Sequence, residues 1–164
     1  MQPAAHVRPP GPPSRTGPPA YTGDGLALGP IRGLGALPPA AVKQLAVLTR
    51  RQSGVLSRRQ LRAIGLSPKW VGSQVRAGRW RALGSVVVVV HYGPLSASAR
   101  RWAAILHHGP QAVLAAWTAL EEWGLQGWER RQLHIVTPRG CRRRSLPDVG
   151  PVVVHETRRL RDGE

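Results

Sequence analysis

The amino-acid sequence predicts an α+β fold, and three observations lead to that prediction. Helix-start signals recur at short intervals in the first half of the 164-residue chain, two strand-like segments follow them, and acidic residues are missing from the same stretch. The second half alternates helical and strand-like segments. We therefore expect a helical unit that ends in a β-hairpin at 38–93, followed by a small, incomplete α+β segment at 94–164.

Residues 1–37 are predicted to be a disordered tail. They contain eight prolines and seven glycines and no periodic apolar pattern. Such a segment buries too little apolar surface to offset the loss of chain entropy. The chain has no run of about 7–15 apolar residues for a signal peptide and no stretch of about 20 for a membrane span. We therefore expect a cytoplasmic protein.

Two helices are predicted directly after the tail. The first, over 40–52, rests on apolar residues at helical spacing. The second, over 58–64, begins with the motif Ser57-Arg58-Arg59-Gln60. This motif matches a capping box, in which the serine and the glutamine satisfy each other's backbone groups. Gly65 follows, where a left-handed helix end is favoured.

A third helix and a hairpin complete the predicted unit. Ser67-Pro68 is an N-cap serine followed by proline at the first helical position, and the helix ends near Ala77. Residues 79–83 and 86–90 then form two strand-like segments around a Gly84-Ser85 turn. This is the element order of a winged helix-turn-helix. There the third helix enters the DNA major groove and the hairpin contacts the backbone or minor groove.

The second half carries weaker patterns. A helix is predicted from the N-cap Ser96, and another over 117–123. Strands are predicted over 133–136 and 152–155, joined by a loop with three consecutive arginines at 142–144. This loop could contact phosphates or be the solvated tip of a hairpin.

The charge distribution indicates a polyanionic partner. The chain has 24 basic and 8 acidic residues, which give a formal net charge of +16. Residues 38–101 hold twelve of the basic residues and no acidic one. Arg is far more common than Lys, as expected from a GC-rich genome, but such a genome does not remove Asp and Glu from one segment. The acid-free segment is the electrostatic footprint expected of a nucleic-acid surface. A solvated basic face without a ligand is the alternative.

Candidate DNA-binding residues follow from the polar side of the third helix and its basic neighbours. A helical wheel turns Val71 and Val75 toward the core and the polar residues away from it. Lys and Arg can contact phosphates or guanine, and Gln can contact adenine. The candidates are Arg58, Arg59, Lys69, Ser73, Gln74, Arg76, Arg79 and Arg81. Solvent exposure without a ligand is the alternative. Trp70 and Trp80 are expected in the core or at its rim.

Longer stretches of the sequence resemble a known family. The runs GVLSRRQLRAIGLSPKWVGSQVRAGRWRAL and TALEEWGL are the most specific parts of a resemblance over about residues 40–160. They are similar to actinobacterial proteins with an AbiEi-type antitoxin domain of type IV toxin–antitoxin systems. The resemblance implies a winged helix that binds promoter DNA and represses its own operon. It also implies that the remaining part counters a cognate nucleotidyltransferase-like toxin.

Two departures from this family keep an alternative open. Relatives usually have an Arg-Gly-Val-Tyr-like wing, whereas this chain has Ser85-Val86-Val87-Val88 and so lacks that phosphate-contacting arginine. Many relatives also carry a C-terminal restriction-endonuclease-like domain, whereas this chain stops at Glu164. The alternative is therefore a truncated DNA-binding arm of a nuclease-like protein, without a regulatory role.

No catalytic or metal site is predicted. None of the six histidines has a metal-type or triad spacing with a carboxylate, and a single cysteine, Cys141, excludes an internal disulfide framework. Pro147-Asp148 and Glu156-Thr157-Arg158 echo a nuclease pattern, but Arg stands where that pattern has Lys. We therefore expect a protein that is not an enzyme, with no cofactor, whose partner is double-stranded DNA rather than a membrane.

Overall fold

The computed structural model describes residues 34–35, 37–127, 130–141 and 146–160 and has an α+β architecture. Residues 1–33 and 36 of the tail predicted over 1–37, and the arginines at 142–144, lie outside the described residues. The elements are α1 (Pro39–Arg51), β1 (Val55–Ser57), α2 (Arg58–Ala63), α3 (Pro68–Arg76), β2 (Arg81–Leu83), β3 (Val87–Val89), α4 (Ala97–His108), β4 (Val113–Leu114), α5 (Ala116–Glu122), β5 (Leu133–Pro138) and β6 (Val152–Thr157).

The local signals predicted from the sequence set the helix boundaries. The Ser57 hydroxyl accepts a hydrogen bond from Gln60 N at 3.1 Å, and Gln60 Oε1 accepts one from Ser57 N at 2.9 Å. The capping box at the start of α2 is therefore confirmed. Gly65 has φ +87° and ends this helix in the left-handed region. Ser67 caps α3 by accepting from Trp70 N at 3.2 Å.

Three antiparallel strands form the first sheet, in the order β1-β3-β2. The hairpin β2–β3 agrees with the prediction, and β1 adds a third strand to the sheet. The central strand β3 is buried on both sides. Val88 faces a core cluster shared with α1, α2 and α3, and Val87 and Val89 face a second cluster.

The second cluster joins the two halves of the chain. It contains Val55 and Leu83 of the first sheet together with Ala103 of α4 and Ile135 of β5. Residues on both sides of the predicted boundary near residue 93 therefore share one core. For this reason the 94–164 segment does not need to build a core of its own.

The second sheet has the order β4-β5-β6. Strand β5 pairs antiparallel with β4 and parallel with β6. The two strands therefore do not form a hairpin, and of the two interpretations of the loop between them, that of a hairpin tip is wrong. A parallel pair requires a crossover connection, and the chain between these strands includes a short 3-10 helix at Pro147–Val149 whose Val149 is buried in the shared core.

The folded unit begins before the predicted boundary at residue 38. Leu34 and Leu37 are partly buried against the cluster that holds α1, α2 and α3. Leu37 N also donates a hydrogen bond to Leu34 O at 2.9 Å. The tail predicted for residues 1–37 therefore does not include these two leucines.

Candidate nucleic-acid interface

Helix α3 has one buried and one exposed side, as the helical wheel predicts. Val71 is 2% exposed, and Val75 is half-buried against the same core cluster. Lys69 and Arg76 are exposed. Trp80, 1% exposed, fixes the end of the helix on the core.

The two aromatic side chains beside α3 belong to the hydrophobic core. Trp80 is buried, and Trp70 packs half-buried against the same cluster. The two rings meet edge to face, with their centroids 5.3 Å apart. The expectation that Trp70 and Trp80 are core or rim residues is confirmed, and neither ring is presented as a stacking platform.

Four residues form a row along the outer side of α3, which we call the α3 stripe: Lys69, Gly72, Ser73 and Arg76. Residues at i, i+3, i+4 and i+7 lie on one face of a helix. A Cβ placed on Gly72 would lie 3.4 Å from Arg76 Nη1. The Arg76 guanidinium therefore reaches back along the helix and lies over the glycine.

Ser73 is less available than the sequence suggests. It is half-buried, and its hydroxyl donates a 2.7 Å hydrogen bond to Trp70 O within the helix. Serine in a helix often bonds back to a preceding carbonyl in this way. Ser73 therefore offers a ligand an acceptor rather than the donor expected of a groove-facing hydroxyl.

Gln74 differs most from the expected position. The sequence puts it at the flank of the polar face, but the side chain is only 3% exposed. Its Oε1 accepts a 2.8 Å hydrogen bond from Nε of Arg79, whose side chain is exposed just beyond α3. The interpretation of Gln74 as an adenine-reading residue is therefore wrong for this conformation. Gln74 instead orients an exposed arginine.

Arg81 does not join the α3 stripe. Side chains alternate between the two faces of a strand. In β2, Ala82 packs against the cluster that holds α3, whereas Leu83 packs against the cluster shared with α4. Arg81 leaves the sheet on the same face as Leu83, which is the face opposite α3. It lies close enough to His91 to influence the charge of that imidazole.

The two arginines at the start of α2 have different surroundings. Arg58 is half-buried, and its backbone N donates to Val86 O at 2.8 Å. Arg59 is exposed and lines a groove between α2 and the C-terminal end of α4. No residue of α3 lines that groove. Arg59 therefore belongs to a different surface from the α3 stripe.

Most cations of the acid-free segment face solvent. Both salt bridges within the described part of the chain are made by Arg101, which binds Glu121 and Glu122 and so ties α4 to α5. Arg100 Nε donates to Val149 O at 3.0 Å. The exposed cations, which have no acidic partner among the described residues, are Lys43, Arg50, Arg51, Arg59, Arg62, Lys69, Arg76 and Arg79.

The turn of the β2–β3 hairpin packs toward the second half of the molecule. Gly84 has φ +61°, and a Cβ at this position would lie 3.4 Å from His107 Cε1 of α4. Val86 also packs against the shared core. One side of the turn is therefore covered by the second half of the molecule. The turn also lacks the arginine that relatives of the resembled family have in the wing.

Sequence reasoning missed two features of this surface. Gly72 was not a candidate because it has no functional group, although its spacing from Lys69 and Arg76 was readable. Arg62 was not selected either, although it lies exposed on α2. Among the described residues, no group of three or more His, Cys, Asp or Glu side chains could hold a metal ion.

Two comparisons of the sequence, one with family models and one with curated proteins, gave no match. No helix in the described ranges is both long enough and apolar enough to cross a membrane.

Proposed function

We propose that this protein binds double-stranded DNA through the α3 stripe, with α3 lying in the major groove. The fold assigned by this proposal is a winged helix-turn-helix. The element order α1-β1-α2-α3-β2-β3 and the strand order β1-β3-β2 support it, because helix-turn-helix domains present their second motif helix to the groove. Repression of its own operon, as in the antitoxins the sequence resembles, is part of the same proposal.

The α3 stripe is the single observation that carries the proposal. A glycine inside an exposed helical face costs about 1 kcal/mol of stability relative to alanine. Gly72 has no turn or positive φ to explain it. Its use is understandable if the Arg76 guanidinium turns from the glycine to a ligand and the helix backbone then comes close to that ligand.

Arg79 extends this surface beyond the end of the helix. Its hydrogen bond to buried Gln74 limits the orientations of the guanidinium. An arginine held in place loses less conformational entropy when it binds a phosphate. We therefore assign Arg79 a phosphate contact next to the groove contacts of Lys69 and Arg76.

The salt dependence of binding tests the proposal. If about six of the exposed cations meet phosphates, the logarithm of the association constant falls with a slope near −5 against the logarithm of salt concentration. Between 50 and 200 mM salt the affinity then drops by roughly a thousandfold.

The measurement is fluorescence anisotropy with a labelled duplex taken from upstream of the gene. An unrelated duplex of the same length is the control. A slope near zero would remove the proposal of DNA binding. Equal affinity for both duplexes would remove sequence-specific repression and leave non-specific binding.

A further inference from the structure

A groove of about 700 Å³ lies between α2 and the C-terminal end of α4. Its volume is within the range of about 300–1,000 Å³ typical of small-molecule sites. The walls come from five parts of the described chain: the residue after α1, helix α2 with its cap, the hairpin turn, helix α4 with the two residues after it, and Cys141 after β5. The groove is thus built at the joint between the two halves of the molecule.

The walls are mainly apolar. Val86, Trp102, Ile105 and Leu106 supply aliphatic and aromatic surface, and Arg59 is an exposed cation at the α2 side. No carboxylate is among the described residues that line the groove. A mainly apolar wall that also carries an arginine is complementary to a molecule with a flat apolar body and one negative charge.

Two glutamines line the same groove, and only one has its polar end satisfied. Gln60 Oε1 is engaged by the capping box of α2. Gln52 is 7% exposed, and its Oε1 is buried without a hydrogen-bond partner in the described structure. Buried polar atoms are nearly always paired, and the last torsion of a glutamine turns easily. A ligand hydroxyl in the groove is a suitable donor for this amide.

We propose that this groove is a binding site for small aromatic carboxylic acids that carry a hydroxyl group. The ring lies on Trp102 and Leu106, the carboxylate pairs with the Arg59 guanidinium, and the hydroxyl bonds to the Gln52 amide. This site is separate from the α3 stripe. Its occupation can be measured without DNA, so the result does not depend on the proposed function.

The test is an NMR titration of the full ¹⁵N-labelled chain with two probes, 4-hydroxybenzoate and 6-hydroxy-2-naphthoate. The amide of each acid is the matched neutral control. We expect at least one acid to give saturable shifts confined to the residues that line the groove and their neighbours, namely Gln52, 57–63, Val86, 102–110 and Cys141. That acid should bind more tightly than its amide.

Three variants locate the site. Arg59→Gln should weaken binding of the acid by about tenfold, the loss expected for one charged pair, and leave the amide unchanged. Arg62→Gln, an exposed arginine on the same helix that does not line the groove, should have no effect. Ala63→Trp, an exposed wall position, should prevent binding of both molecules by narrowing the groove.

Three outcomes would overturn the proposal. The first is that neither acid gives a saturable shift up to its solubility limit. The second is that each acid and its amide bind equally well. The third is that the shifts map to the α3 stripe, which would mean anion binding by the basic surface.

Discussion

Nε of Arg79 donates a 2.8 Å hydrogen bond to Oε1 of Gln74, so an exposed cation is held by a buried amide at the end of α3. The two residues are five apart in the chain, and their contact bridges the helix end and the segment before β2. If Arg79 contacts DNA, Gln74 is a positioning residue for that contact.

A double-mutant cycle measures this coupling. Gln74→Met, which keeps the volume but removes the acceptor, should lower DNA affinity by roughly fivefold, the net contribution of one hydrogen bond. Arg79→Ala should lower it by a similar or larger factor. The double variant should lose no more than the worse single variant, because both changes remove the same interaction. Losses that multiply in the anisotropy assay would contradict the positioning role.

Substitutions on the buried side of α3 should lower the stability of the protein, whereas substitutions on its exposed side should lower DNA affinity. Val71→Ala should cost about 2 kcal/mol of unfolding free energy through lost burial and a residual cavity. Arg76→Ala should change that free energy by less than about 0.5 kcal/mol, as exposed substitutions usually do. It should nevertheless weaken specific DNA binding by roughly 1–3 kcal/mol if the guanidinium contacts a base edge.

Urea unfolding and anisotropy on the same two variants check this prediction. A binding loss that is equal for all duplexes would identify Arg76 as a phosphate contact. An early-unfolding Arg76→Ala variant together with a stable Val71→Ala variant would mean that the helix is rotated the other way.

His91 should make the stability pH-dependent. Burial lowers its pKa from the usual 6.5, nearby Arg81 lowers it further, and a backbone hydrogen bond at Ser53 offsets part of the effect. The unfolded chain therefore binds this proton more readily than the folded one. Above about pH 6.5 His91 is neutral in both states, and the free energy of unfolding has its full value. As the pH falls toward the lowered pKa, the unfolded chain takes up the proton first, and the free energy of unfolding decreases.

The variant His91→Gln removes this proton uptake. We expect the unfolding free energy of the unmodified chain to fall more steeply between pH 7.5 and 5.5 than that of the variant. Urea titrations at several pH values measure both slopes. Parallel curves would show that His91 has the same pKa in the folded and unfolded chain.

Local signals made much of the fold predictable. The capping box at Ser57 and the cap at Ser67 are complete within four residues, so a sequence shows them directly. The third strand β1 and the parallel pairing of β5 with β6 depend on partners far along the chain. Composition and periodicity do not identify such partners, and for that reason both were missed.

The candidate site was predictable to a smaller degree, for a similar reason. Periodicity correctly predicted that Lys69 and Arg76 lie on the exposed side of α3, because an amphipathic helix has only one polar side. Gln74 lies at the edge of that side, and its burial and its hydrogen bond to Arg79 depend on how the chain folds back after α3. The side on which Arg81 leaves the sheet depends on which face of β2 packs against α3. That packing is a long-range contact, which the local sequence does not show.

The most direct test of the α3 stripe as the DNA-contacting surface is a comparison of two variants that each introduce one glutamate. Gly72→Glu adds a negative charge to the middle of the stripe. Gln44→Glu adds the same charge at an exposed position of α1. Circular dichroism first verifies that both variants are folded.

DNA affinity of the two variants is then measured by anisotropy at one salt concentration. We expect Gly72→Glu to lose at least about a hundredfold in affinity, because a carboxylate facing DNA phosphates costs several kcal/mol. Gln44→Glu should lose less than about fivefold, because α1 lies outside the proposed contact and salt screens an exposed charge that does not face the DNA. Equal losses, or an unchanged affinity of Gly72→Glu, would contradict the placement of α3 in the groove.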